Sequence, residues 1–191
     1  MDADFSIELG NDDPVLDFPW TDPHGKFAYH DVKRHPELLG RVPEANQYSE
    51  LGDFLRVVNS PRSMVESAKC DAWTTDELNP EEEIYGASLK VASYVDLVFT
   101  HVDRRNSFPA HERFAKKLVE LLRQTPETAS SAEVCVRRAY FTGGGETTDG
   151  CYFTVYVSGY ENEPDSARLQ WEIGLKLVAN AVLQLSAGEL L

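Results

Sequence analysis

The stretch EIYGASLKVASYVDLVFTH, residues 83–101, alternates between two kinds of side chain and so restricts the fold more than any other part of the chain. Its polar series contains Lys90, Tyr94 and Asp96. Its largely apolar series contains Leu89, Val91, Val95, Leu97 and Phe99. Because successive side chains of a strand point to opposite faces, the stretch predicts a strand with one buried face and one polar face.

The length of this stretch also predicts an interruption. Strands in globular proteins usually run for about three to ten residues, so an unbroken strand from Glu83 to His101 is not expected. We expect a bend or a β-bulge near Gly86 or at Ala92–Ser93, which would redirect the side chains that follow. The polar series forms a site only if a neighbouring strand brings functional groups beside it.

Composition fits one domain with an acidic surface. The 191 residues are 42% hydrophobic and 26% charged, and a domain of this size buries roughly 70% of its unfolded surface. The 32 acidic residues exceed the 18 Lys and Arg, which gives a formal net charge of -14. This charge repels phosphate backbones and anionic lipid surfaces, so we expect neither nucleic acid nor a membrane as partner. The acidity either suits a basic protein partner or serves solubility.

Cysteine spacing and the first residues predict the compartment. Cys70, Cys135 and Cys151 are odd in number and lack CxxC spacing, which predicts neither a disulfide framework nor a zinc site. Cys70 and Cys151 alternate with apolar residues and are expected to pack as small buried side chains. The start of the sequence has no signal-peptide pattern, and no apolar run is long enough to span a membrane. We therefore expect a cytoplasmic protein with reduced thiols.

The order of the predicted elements indicates an α+β fold. Three pairs of strands can be recognised: FSIEL with KFAYHDV, ESAKCDAWTT with the stretch described above, and AEVCVRRAYFT with GCYFTVYVSGY. Each pair precedes a helical pattern, namely residues 48–58, FPAHERFAKKLVELLRQ, and a long C-terminal helix through Trp171 and Leu185. We predict an antiparallel sheet of about six strands built from three successive strand-strand-helix units, with the helices on one face.

Local signals support these assignments. Ser107 is a suitable N-cap for the middle helix, and GGGETTDG is expected to turn the last hairpin because its glycines permit positive φ. The last two thirds of the chain also resemble each other in short apolar patterns. We therefore predict a single domain, residues 1–191, with a possible internal pseudo-repeat of residues 64–125 and 131–188.

A tyrosine-rich strand face is the main candidate for a binding surface. If the strand GCYFTVYVSGY lies beside the opening stretch, its tyrosines join the polar series there, and Lys69, Asp71 and Trp73 could extend the surface. The candidate binding residues are then Lys90, Tyr94, Asp96, Tyr152, Tyr156 and Tyr160. Tyrosine, tryptophan and a few charges are typical of protein-binding and ligand-binding surfaces. They are also typical of an ordinary exposed strand face.

A metal site at one rim of the sheet is a weaker alternative. Its ligands would be His101, Asp103, His111 and Glu112, a set that suits zinc or iron. The sequence contains no HExxH or related pattern, however, and nothing in it shows that these four residues converge. The pair in HDVKRH is less suitable, since its spacing places the two histidines on opposite faces of a strand. We predict no cofactor, and the catalytic residues, if any exist, are not identified.

Three classes of function are compatible with these features. We rank first a non-enzymatic protein-binding or assembly module, either a homo-oligomer or an inhibitor-like or immunity-like protein with a separate protein partner. The ranking rests on the lack of a recognisable catalytic motif. The alternative is a small enzyme, or a protein that binds a metal or a small molecule in a pocket between the sheet and the helices. The third is a structural module without chemistry.

Overall fold

A computed structural model describes residues 1–188, without the side chains of residues 81, 83 and 84. The strands are β1 Asp2–Glu8, β2 Val15–Phe18, β3 Val65–Thr75, β4 Leu89–Phe99, β5 Ser130–Gly143 and β6 Glu146–Glu161. The α-helices are α1 Pro43–Gln47, α2 Ser49–Val58, α3 Val102–Arg105, α4 Phe108–Arg123 and α5 Pro164–Gly188. Short 3-10 turns cover Pro36–Arg41 and Pro80–Tyr85. The fold is α+β, with one six-stranded sheet and a long C-terminal helix.

The sheet is mixed, whereas the sequence predicted an antiparallel one. Its order is β1-β5-β6-β4-β3, and the β3–β4, β4–β6 and β5–β6 pairs are antiparallel. β1 and β2 do not pair with each other, and each lies parallel to β5. β5 has 14 residues against seven in β1 and four in β2. Its outer edge therefore holds both short strands one after the other, and the first predicted hairpin does not exist.

The segment KFAYHDV, predicted as a strand, is a loop. In residues 26–32 the β-pairing is limited to an isolated bridge between Ala28 and Thr21. The carboxylate of Asp22 accepts hydrogen bonds from the backbone N–H groups of His24 and Phe27, at 3.1 and 2.5 Å, and so closes a tight turn. This turn competes with a sheet ladder for the same backbone groups. The three-unit scheme is therefore not supported in the first third of the chain.

The long alternating stretch is interrupted where glycine permits it. Gly86 has φ of 60°, and β4 begins only at Leu89, after the 3-10 turn Pro80–Tyr85. The register irregularity of this hairpin lies in β3, between Ser67 and Lys69. The expected bend near Gly86 is thus present, and the β4 ladder runs without a break through the alternative position, Ala92–Ser93.

The main core lies between one face of the sheet and helices α2, α4 and α5. The apolar series of β4 contributes Val91, Val95, Leu97 and Phe99, each almost fully buried. Trp171 of α5 is 0% exposed, and its indole N–H donates to the Ser93 hydroxyl at 3.0 Å. Burying a large apolar side chain contributes about 1.5–3 kcal/mol, so this series anchors β4 under the helices. No helix within residues 1–188 has the length and apolar character needed to cross a membrane.

The structure contains the predicted N-cap at Ser107 and the predicted glycine turn of the last hairpin, although the turn is shorter than expected. The Ser107 hydroxyl accepts a hydrogen bond from the Ala110 N–H at 3.3 Å and caps α4. The last hairpin turns at Gly144 and Gly145, with φ of 62° and 87°. The ETTDG residues that follow belong to β6, because the ladder continues to the pair Gly143–Glu146. The internal pseudo-repeat stays a prediction.

Candidate functional site

The strand order brings the two predicted polar faces together. β4 lies directly beside β6, with Tyr94 opposite Tyr156 and Lys90 opposite Tyr160. These side chains lie on the sheet face turned away from α2, α4 and α5, which we call the open face. β3 adjoins β4 on its other side, so the open face extends onto a third strand.

Three of the predicted binding residues are engaged at the two ends of the open face. Tyr152 is 3% exposed and packs in a small apolar cluster that includes Phe18. Tyr160 is 2% exposed, and its ring stacks on Tyr85 with centroids 4.1 Å apart. Lys90 donates to the Glu82 carboxylate at 2.8 Å. These residues form the borders of the open face and are poorly placed to meet a partner.

The centre of the open face is crossed by a continuous row of side chains. Trp73 on β3 lies 6.5 Å from Tyr94 on β4, measured between ring centroids, and Tyr94 lies 6.1 Å from Tyr156 on β6. The guanidinium of Arg137 on β5 then lies 5.7 Å from the centroid of the Tyr156 ring. All three aromatic residues are partly exposed. We call these four residues the aromatic–arginine stripe.

Arg137 is held in place by three neighbours. It donates to the Glu8 carboxylate at 2.7 Å, to the Thr154 hydroxyl at 2.9 Å and to the Tyr156 hydroxyl at 3.2 Å. Hydrogen bonds to a charged group are stronger than neutral ones, so this network fixes the guanidinium against the Tyr156 ring. Arg137 was not among the predicted binding residues, although the alternation in AEVCVRRAYFT could have placed it on this face.

Asp96 is a buried carboxylate beside the stripe. It is 6% exposed and accepts a hydrogen bond from the Thr154 hydroxyl at 2.7 Å. Burial raises the pKa of Asp96 to about 6, against the opposing effects of the Thr154 hydrogen bond and the charges of Lys69 and Arg137. An acid with a pKa near neutrality on an accessible face is typical of a functional site, although buried structural groups show the same shift.

The raised pKa of Asp96 predicts that Asp96→Asn stabilises the protein at neutral pH. Because the folded-state pKa exceeds the ordinary value of 3.8, the ionised carboxylate destabilises the fold above pH 6. That cost disappears as the pH falls from 6 towards 4, where the folded state holds the proton. Urea unfolding should therefore show a gain of about 3 kcal/mol at pH 8 and almost none at pH 4.

Asp71→Asn is the matched control for this experiment, because Asp71 is exposed on the same face. Its effect on the free energy of unfolding should stay within about 0.5 kcal/mol. A loss of stability in Asp96→Asn at pH 8 would contradict the assignment of Asp96 as a destabilising buried charge.

The structure does not gather the predicted metal ligands. His111 is 0% exposed and lies between the rings of Phe99 and Phe153, both at 4.7 Å. Burial lowers the pKa of His111 to about 4, so the ring is neutral at pH 7. His101 and Asp103 are exposed, so they do not share the closed environment of His111. His111 was expected at a rim and instead belongs to the core.

A different group of metal-ligating atoms exists on the open face. Within the described part of the chain, one set of three or more such atoms is close enough to share an ion, and it comprises Glu8, Glu133 and Cys135. Arg137 already neutralises Glu8 at 2.7 Å. Burial raises the pKa of the Cys135 thiol to about 12, and metals bind the thiolate. These two facts make the group a poor metal centre.

A cavity adjoins the stripe at the outer edge of β3 and was not anticipated from the sequence. Its volume is about 490 Å³, and it lies between β3, the loop of residues 19–32 and the start of α1. Trp20 and Phe27 of the loop, Arg41 and Glu44 near α1, and Tyr94 of the stripe contribute to its lining. No motif marks it, because the loop and β3 are far apart in the sequence.

Comparisons with known proteins add no assignment to this geometry. No protein family, curated protein or solved structure matches the chain.

Proposed function

We propose that the chain is a non-enzymatic protein-binding module whose open face receives a basic segment of a partner protein. The observation that carries this proposal is the aromatic–arginine stripe, which crosses four strands on the face opposite to α2, α4 and α5. Tryptophan, tyrosine and arginine dominate the energetics of protein interfaces. A row of such residues, held in place by a sheet, gives a partner a pre-formed surface.

The charge around the stripe supports a basic partner. The carboxylates on or beside the open face are Asp2, Asp4, Glu8, Asp71, Asp96 and Glu133. Three cations, Lys69, Lys90 and Arg137, lie on the same face. Lys90 is already paired with Glu82, and Arg137 with Glu8. The faces of the aromatic rings attract Lys and Arg side chains, and the net charge of -14 favours encounter with a basic protein.

The stripe gives the direct test of this proposal. A short peptide of alternating Arg and Gly should bind the protein and shift the amide resonances of β3, β4 and β6, while a Glu-Gly peptide should not. The double change Tyr94→Ser and Tyr156→Ser should lower the affinity for the Arg-Gly peptide by at least about 10-fold, since two aromatic contacts are lost. Titration followed by NMR measures both effects.

Two further variants make the result interpretable. Tyr140→Ser removes an exposed tyrosine outside the stripe and should leave the affinity unchanged. Asp71→Asn with Glu133→Gln alters two exposed acids only, so it tests the charge contribution even if the tyrosine variant unfolds. Equal binding of the Arg-Gly and Glu-Gly peptides would contradict the proposal.

Self-association would also contradict the choice of partner. If two copies of the chain cover each other's open face, light scattering after size exclusion should give the mass of a dimer. The double tyrosine variant would then give a monomer. The proposal of a separate basic partner predicts the mass of a monomer for both proteins.

A further inference from the structure

The cavity at the outer edge of β3 has a wall that is already ordered. In the loop of residues 19–32, the Tyr29 N–H donates to the Trp20 carbonyl and the Asp22 N–H to the Phe27 carbonyl, both at 2.9 Å. The Trp20 indole N–H donates to the Ala68 carbonyl of β3 at 2.6 Å. Lys33, just after the loop, donates to three backbone carbonyls, including that of Val65, at 2.7–3.0 Å. A ligand would therefore enter a pre-formed site.

The inner part of the cavity is apolar and its entrance is charged. Buried side chains of Val32, Leu55 and Ala68 line it from the inside. The aromatic residues Trp20 and Phe27 also line the cavity. A volume of about 490 Å³ falls in the range of small-molecule sites, about 300–1,000 Å³. The cavity thus suits a small molecule with an apolar body and a polar end.

The entrance has equal numbers of cations and carboxylates, but in the part of the chain that the structure describes the cations do not form ion pairs with these carboxylates. The cations are Lys26, Arg41 and Lys69, and the carboxylates are Asp22, Glu44 and Asp71. Within the described residues none of these cations forms an ion pair, although acids outnumber bases in the chain by 32 to 18. Lys69 lies 5.5 Å from the centroid of the Trp20 ring.

The carboxylates differ in their availability. Asp22 is engaged by the backbone N–H groups of His24 and Phe27, which lower its pKa together with the charge of Lys26. Within the described residues the Glu44 carboxylate has no hydrogen-bond partner, and the Asp71 carboxylate accepts only from the adjacent Ala72 N–H, at 2.8 Å. Glu44 and Asp71 can therefore accept from a ligand cation, while Arg41 and Lys69 can donate to a ligand anion.

We propose that this cavity binds a zwitterionic small molecule with an apolar body, namely an α-amino acid or a dipeptide. The apolar body fills the inner part, and the ammonium and carboxylate groups meet the opposite charges at the entrance. A net anion would be repelled by the charge of -14. A ligand with a cationic group alone would leave Arg41 and Lys69 without an anionic partner. The inference does not depend on the protein-binding role, although Tyr94 borders both sites.

Three probes with the same phenyl ring but different charged groups test whether the site requires both an ammonium and a carboxylate. L-phenylalanine carries an ammonium and a carboxylate, 3-phenylpropionate carries the carboxylate alone, and 2-phenylethylamine carries the ammonium alone. Calorimetric titration should show L-phenylalanine binding at least about 10-fold more tightly than either analogue, since each charge-assisted hydrogen bond contributes about 1.5–3 kcal/mol. Alanyl-phenylalanine distinguishes the two sources, because a dipeptide site should bind it more tightly than the amino acid.

Variants that remove one charge show which protein residue contacts the carboxylate of the ligand and which contacts its ammonium group. Arg41→Gln should lower the affinity for both L-phenylalanine and 3-phenylpropionate by about 10-fold. Glu44→Gln should lower the affinity for L-phenylalanine and leave that for 3-phenylpropionate unchanged. The matched controls, Arg62→Gln and Glu127→Gln, change exposed charges outside the cavity lining and should leave all affinities unchanged. Arg41 is exposed and Glu44 partly exposed at the surface, so the variants should fold, which thermal unfolding verifies.

Three outcomes would overturn the proposal. The first is equal affinity for the three probes, which would remove the need for a zwitterion. The second is no binding of L-phenylalanine or alanyl-phenylalanine at concentrations on the order of 10 mM, since even weak specific sites are occupied there. The third is an equal loss of affinity in the control variants, which would indicate a general effect of surface charge.

Discussion

Replacing Gly159 with alanine is expected to destabilise the protein by at least about 3 kcal/mol. A Cβ at this position would lie 2.0 Å from the Trp171 nitrogen and 2.5 Å from the Ala167 carbonyl oxygen. Both are backbone atoms of α5, so no side-chain rotation can relieve the overlap. The helix would have to move away from β6 and take the fully buried Trp171 side chain with it.

The strand cannot move instead, because β6 is held between β4 and β5. Gly143→Ala is the matched control, since a Cβ at that strand position meets nothing within 4 Å. Calorimetry should show the melting temperature of Gly159→Ala lower by about 10 °C and that of Gly143→Ala within about 2 °C of the original. Similar values for the two variants would contradict the close packing of α5 on β6.

Alternation in the sequence predicted the faces of individual strands well. Val91, Val95, Leu97 and Phe99 are buried as expected, and the three aromatic residues of the stripe share the opposite face. Alternation predicts the face of each residue because successive side chains of a strand point to opposite faces of the sheet. The same rule cannot state which strands are neighbours, so the meeting of β4 with β6 had to come from the structure.

Burial on the polar face could not be predicted from the same pattern. Tyr152 and Tyr160 were expected to be accessible, but distant segments cover them: the residues around Phe18 at one end and Tyr85 at the other. Each cover depends on contacts between residues far apart in the sequence. The cavity escaped prediction for the same reason, since its wall comes from the loop of residues 19–32 and its floor from β3.

The parallel pairing of β1 with β5 was missed because hairpin reasoning favours neighbours in the sequence. A strand pair separated by more than a hundred residues leaves no turn signal, and β1 shows only ordinary alternation. His111 was misassigned on a similar basis. Its position at the start of the helix that follows the long strand suggested a rim, yet the helical phase of α4 turns it towards Phe99 and Phe153.

Arg105→Met is expected to cost about 3–5 kcal/mol at pH 8, because it leaves the carboxylate of Glu66 buried without its main cation. Arg105 forms an ion pair with Glu66, and its guanidinium lies 5.3 Å and 5.2 Å from the ring centroids of Phe18 and Phe141. Methionine keeps much of the apolar contact and removes the charge. Arg56→Met is the control: it breaks an exposed pair with Asp53 and should cost at most about 1 kcal/mol.

The pH dependence separates the lost charge from lost packing. Burial already raises the pKa of Glu66 above its ordinary value, and Arg105 opposes that rise, so the Arg105→Met variant should have a still higher Glu66 pKa. A buried acid with a raised pKa destabilises the fold above that pKa, and protonation relieves the cost as the pH falls. The deficit measured by urea unfolding should therefore shrink between pH 8 and pH 5, and Glu66→Gln in the variant background should recover most of it at pH 8. A deficit that is equal at both pH values, with no recovery from Glu66→Gln, would mean that Arg105 acts through its aromatic contacts and its hydrogen bond to the Phe99 carbonyl, and not through the charge of Glu66.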